Sequence, residues 1–240
     1  MLIFWRLVLG HLLADFTFQS NFINSWKRRS LAGMLVHCGM HPLAYVCLAY
    51  PYLSQYWVQS SAVRLNGWAC VVLIFLLHFL EDEWRVFSVF RTRAADNTLY
   101  FLWDQVFHYT SIFVFLPIGL SDTSDGWFPE RWAVLACLFV VVTHFTTILV
   151  FFLEKDLWGT EFPDFDEKYI TMAGRVVLCL CLMLPGLLSI WTTAAWIAVA
   201  VYLRRRRVIE YSWFSLSIGG ALGALCGLAA RAVYYGQLFA

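Results

Sequence analysis

The sequence predicts an all-α integral membrane bundle of about eight transmembrane helices, and three observations predict it. Of the 240 residues, 61% are hydrophobic and 14% are charged, whereas a soluble domain carries roughly 25% charged residues. Apolar runs near the roughly 20 residues that cross hydrocarbon recur along the whole chain. Basic residues collect in alternate connections between those runs, as the positive-inside rule requires. A net charge of +1 without a large basic patch gives no reason to expect a nucleic-acid partner.

Helices are expected near 2–23, 31–54, 63–90, 98–120, 131–153, 169–185, 187–203 and 211–235. The first begins apolar at Leu2 without a basic leader or a small-residue cleavage site, so it reads as a retained helix. The second contains Pro42, which removes a backbone hydrogen bond and crowds the carbonyl of Cys38. Segment 169–203 reads as a hairpin turning at Pro185-Gly186, because one continuous helix would put the run Arg204 to Arg207 on the wrong side. In the last helix, Gly219, Gly223 and Gly227 form a close-packing face, either within the chain or between copies in a homo- or hetero-oligomer. Residues 1–120 are expected to form a four-helix core and 121–240 to add further helices to the same membrane domain. Lys27-Arg28-Arg29, Arg91 with Arg93, Lys155 with Lys168, and Arg204 to Arg207 mark the cytoplasmic connections. The connection containing Asp122 and Asp125 is acidic, and both termini come out on the external side. The seven cysteines form no CxxC and read as small buried side chains.

The histidines carry the functional signal. His11/Asp15, His37/His41, His78/Asp82 and Asp104/His108 stand four residues apart, one pair on each of the first four helices. Residues so spaced share a helix face. An ionisable group in hydrocarbon costs roughly 2.5–3.5 kcal/mol on insertion scales, so such groups face the protein interior and mark function. The first and third helices run inward and the fourth outward, which sets each histidine about 6 Å deeper than its aspartate. His41 joins the deeper layer and His37 the shallower one. All eight residues then fall in the cytoplasmic half of the membrane.

Helices presenting such pairs inward build a metal centre in a bundle core. Imidazole and carboxylate together suit zinc, iron or manganese, and the lack of nearby thiolates argues against copper(I). The candidate ligands are His11, Asp15, His37, His41, His78, Asp82, Asp104 and His108, enough for a dinuclear centre or for one ion with surrounding support. Gln19 and Gln105 are expected to support the ligands, and His144 lies in reserve at matching depth. Glu81 and Arg85 have the spacing of an ordinary helix salt bridge. Arg175 reads as a snorkelling side chain or an anion contact at the cytoplasmic mouth. Segment 154–168 is acidic and aromatic and is placed where it could cap that entrance.

Gly10-His-Leu-Leu-Ala-Asp-Phe16, Gln19, the HxxxH of the second helix, His78-Phe-Leu-Glu-Asp82 and Asp104-Gln-Val-Phe-His108 together resemble a bacterial membrane family, domain of unknown function 3307. The resemblance spans the first half of the chain. It implies that the eight paired residues are the family's shared polar positions and that the protein sits in a bacterial inner membrane; it implies no activity. A looser likeness is to membrane-bound metal-dependent hydrolases. The leading expectation is therefore a metal-dependent hydrolase of a lipid-like amphiphile from the cytoplasmic leaflet, with Asp15, Asp82 or Asp104 as general base. An oxygen-activating di-iron variant uses similar ligands. A transition-metal or proton transporter, and an accessory subunit of a larger membrane complex, are the alternatives.

Overall fold

A computed structural model describes residues 3–117, 128–163, 165–207 and 212–237. The acidic connection at Asp122 and Asp125 lies outside the described residues, as do Leu2 at the start and Asp164 in segment 154–168. The chain divides into two compact units, Met1–Ala133 and Val134–Ala240.

In the first unit, α1 (Phe4–Leu12) passes into a π-helical turn, Leu13–Thr17. The expected single helix over 2–23 is instead broken after Thr17. Ser20 caps a separate short helix, α2 (Asn21–Lys27), by accepting from the Ile23 amide. Helix α3 (Leu31–Ala49), capped by Ser30, continues through Pro42 and ends in a 3₁₀ turn at Tyr50–Tyr52. A Cβ on Gly33 would stand 2.5 Å from the Trp26 backbone, so only glycine lets α2 lie this close to α3.

An antiparallel hairpin, β1 (Tyr56–Gln59) with β2 (Arg64–Asn66), was not expected from the sequence. Helix α4 (Gly67–Arg91) therefore begins later than expected, and α5 (Thr98–Val114) follows; Asn66 and Asn97 cap them. Trp57 of the hairpin is buried and donates to the Tyr52 carbonyl at 2.9 Å. It closes an apolar core that includes Ile3, Leu7, Tyr45, Tyr52, Ile74 and Ile112.

The second unit holds most of α6 (Glu130–Val140), a π-helical turn at Val141–Phe145, and α7 (Thr146–Trp158). Then come α8 (Phe165–Met183), α9 (Gly186–Arg205) and α10 (Trp213–Tyr235). The expected turn at Pro185-Gly186 separates α8 from α9. Gly219, Gly223 and Gly227 face α8 within the unit; a Cβ on Gly227 would lie 3.0 Å from the Cys179 Cα. Arg175 does not snorkel. It is buried and donates to the carbonyls of Val142 (2.8 Å) and Thr143 (3.0 Å) and to the Thr147 hydroxyl. The widened turn leaves those carbonyls free to accept, and the guanidinium takes them up.

Among the described residues four helical stretches are long and apolar enough to cross a membrane: Leu31–Tyr52, Glu130–Trp158, Gly186–Arg205 and Trp213–Tyr235. The fold is helical and consistent with membrane association, and the expected count of eight spans is not supported. Helix α1 is short, α4 carries Glu81, Asp82, Glu83 and Arg85, and α5 has 17 residues. Polarity in α5 is nevertheless inside out: Asp104, Gln105, His108 and Ser111 are buried, while Leu99, Trp103, Val106, Phe113 and Val114 are exposed. That inversion suits a hydrocarbon surrounding rather than water.

Candidate metal centre

The site forms where α1, α3, α4 and α5 of the first unit turn their polar faces together. His11, His37, His41, His78, Asp82, Asp104 and His108 are each at most 4% exposed, and Asp15 is 9% exposed. The π-helical turn carries Asp15 into the bundle, where Phe16 is also buried. Asp15 Oδ1 lies 3.3 Å from His37 Nε2, 3.2 Å from His41 Nε2 and 3.8 Å from His78 Nε2. Beside it, His108 Nε2 lies 3.5 Å from Asp104 Oδ1, 3.7 Å from Glu81 Oε2 and 3.8 Å from Asp82 Oδ1. The imidazoles form a continuous layer: His41 and His78 ring centres are 3.7 Å apart, and His78 and His108 are 4.1 Å apart.

Three residue sets bring one ligand atom each within 4.8 Å of one another: Asp15/His37/His41/His78, His37/Cys38/His78/Asp82 and Glu81/Asp82/Asp104/His108. Buried imidazole nitrogens normally hydrogen-bond. Here His41 Nε2, His78 Nε2 and His108 Nε2 have no hydrogen-bond partner, although each points at a carboxylate. Ligand atoms about 2.0–2.2 Å from a zinc-sized ion stand just over 3 Å apart from one another. For His41 and His78, separations of 3.2 and 3.8 Å from Asp15 with unpartnered Nε2 atoms therefore fit atoms that share an ion better than hydrogen bonds. These buried groups could hold a metal ion.

Gln105 ties the sets together. It accepts from His11 Nε2 at 3.3 Å, and its amide donates to Asp104 Oδ2 at 3.1 Å and Asp15 Oδ2 at 3.4 Å. His11 thus reaches the cluster through Gln105 and lies outside the three ligand sets. Gln19 Oε1 is buried without a hydrogen-bond partner, and no link from it to the cluster is present among the described contacts. His144 belongs to the second unit, where its Nδ1 lies 3.1 Å from Thr143 Oγ1.

Four participants escaped the sequence reading. Lys27, expected in a cytoplasmic connection, donates to Asp82 Oδ2 at 3.0 Å and lies 3.0 Å from His37 Nε2. Arg85 bonds Asp104 Oδ2 at 2.8 Å and Asp96 Oδ1 at 3.2 Å rather than pairing with Glu81 along its own helix. Glu81 is left to face His108. Cys38 contributes its Sγ to one set, so a thiol does stand beside the imidazoles. Glu81 reads from its spacing as the partner of Arg85 instead, and nothing local announces Lys27, which arrives only because α2 folds back against α3. Outside the cluster, Arg6 is also buried, paired with Glu130 at 3.2 Å and stacked over the Tyr52 ring.

The fold and site define a class: helical proteins with helices apolar enough to span a membrane and a buried cluster of imidazoles and carboxylates. Residues 3–135, more than half the chain, match the family described as Protein of unknown function (DUF3307), and the chain belongs to that family. No curated protein and no solved structure matches the chain.

Proposed function

We propose that this protein is a membrane-embedded, metal-dependent hydrolase whose substrate is an amphiphile, such as a phospholipid or polyprenyl phosphate, drawn from the cytoplasmic leaflet of a bacterial inner membrane. The observation that carries the reading is the buried layer of unpartnered imidazole nitrogens aimed at carboxylates. Asp15, His37, His41 and His78 would hold the ion, with zinc, iron or manganese suited to that nitrogen and oxygen set. Once bound, such an ion polarises an ester or phosphoryl oxygen and lowers the pKa of a bound water. Asp82 and Asp104 are the carboxylates placed to accept a proton, each held by a cation on its outer oxygen.

The two ends of the site differ. The apolar core of Leu7, Tyr45, Ile74 and Ile112 lies on the same helices toward the hairpin, and Lys27, Arg85, Arg28 and Asp96 lie toward the other end. A transporter needs polar groups on both sides of its site; among the described residues the hairpin end offers one ion pair, Arg6 with Glu130, against Lys27, Arg28, Arg85 and Asp96 at the other, and that asymmetry favours an enzyme. By the positive-inside rule the cationic end faces the cytoplasm and both termini lie outside.

Elemental analysis of detergent-purified protein, followed by incubation of the metal-loaded protein with phospholipid and polyprenyl phosphate vesicles, tests the reading. Stoichiometric metal and release of a cleaved headgroup or phosphate are expected. His78→Ala is expected to lower metal content and stability together. Wild-type protein that retains no metal, or that is loaded yet leaves every amphiphile intact while moving ions into vesicles, overturns the proposal.

A further inference from the structure

Glu81, Asp82, Asp104 and His108 make a second ion-binding position next to the first, and we infer that the centre is dinuclear. The inference rests on the metal reading above and extends it in number and ligand identity. Glu81 Oε2, Asp104 Oδ1 and His108 Nε2 are all buried without a hydrogen-bond partner. The side chains are 10%, 5% and 1% exposed, and both carboxylates approach the same imidazole nitrogen, at 3.7 and 3.5 Å. Three atoms without hydrogen bonds meeting at one buried point leave their desolvation uncompensated unless the imidazole carries a proton or a cation sits among them.

The aspartates are also oriented for this task. Lys27 binds the Oδ2 atom of Asp82, and Arg85 with Gln105 binds the Oδ2 atom of Asp104. Each Oδ1 is thereby turned toward His108. Ligating carboxylates are characteristically anchored in this way through their outer oxygen. Asp82 stands between the positions, with Oδ2 3.8 Å from His78 Nε2 and Oδ1 3.8 Å from His108 Nε2.

The two positions differ in chemistry. The first offers three imidazoles and one carboxylate; the second offers three carboxylates and one imidazole. Oxygen-rich sites favour harder ions such as manganese or magnesium, and nitrogen-rich sites favour zinc. Two divalent ions together with Lys27 and Arg85 exceed the four carboxylates in positive charge. The loaded centre therefore attracts an anionic group, and a phosphate ester fits better than a neutral acyl ester.

The test is titration of the purified full chain with Mn²⁺ alone, read by elemental analysis and electron paramagnetic resonance, with thermal melting in detergent as the folding control. Two ions per chain and an exchange-coupled spectrum are expected for the wild type. Folded Glu81→Gln is expected to hold one ion with an uncoupled six-line spectrum, and His41→Ala to lose the nitrogen-rich position while Glu81 still holds an ion. Wild-type protein that saturates at one ion, or Glu81→Gln that still holds two, overturns the dinuclear assignment but leaves the metal enzyme standing. A wild type with no ion removes both.

Discussion

Each unit contains a π-helical turn, closing α1 in the first and joining α6 to α7 in the second, and each buries charged side chains, but they resolve the cost differently. In the second unit, the turn at Val141–Phe145 presents two carbonyls, and Arg175 binds both along with a threonine hydroxyl. In the first, the turn at Leu13–Thr17 brings in Asp15, and His41 and His78 face it with their Nε2 atoms unpartnered. One arrangement is closed and complete; the other is crowded and incomplete. Buried polarity alone does not mark a functional site. Buried polarity that converges without being satisfied does.

The strongest way to break this comparison is Asp15→Ala. It should weaken metal retention by more than about 100-fold, since even supporting residues of metal sites are worth 10–100-fold; competition against a chelator measures it. Arg175→Met should leave metal content unchanged yet cost about 2 kcal/mol, by orphaning the Val142 carbonyl while Thr147 still donates to that of Thr143, in unfolding measured from detergent micelles. Equal metal loss in both variants would erase the distinction between the units. Chelator treatment of the wild type should raise amide exchange about tenfold in α3, α4 and α5 and spare α8 and α10. The smallest effect expected is from Gly227→Ala, about 1 kcal/mol of stability, because its Cβ would press on α8 at 3.0 Å without touching the site.

Much of the site was legible because its pairs recur at the helical repeat. His78/Asp82 and Asp104/His108 advertise a shared face from sequence alone, and the turn at Pro185-Gly186 follows from placing Arg204 to Arg207. What stayed hidden depends on contacts distant in sequence. Lys27 reads as one of three basic residues in a connection until Ser20 starts a new helix and Gly33 admits it against α3. Glu81 and Arg85 have the spacing of a local pair, but Asp104, 19 residues beyond Arg85, captures the guanidinium. The hairpin at 56–66 was invisible because Trp57 gains its burial from Tyr52 and Gly67 rather than from any alternation of its own.

That tryptophan-capped hairpin bears on bioenergetics. A centre loaded with cations and acids, placed across a lipid barrier, would short-circuit a proton gradient if water could file past it. Tyr52, Trp57 and Ile74 are buried together at the hairpin end, and a plug of that kind is what a proton-tight membrane would demand of such a centre.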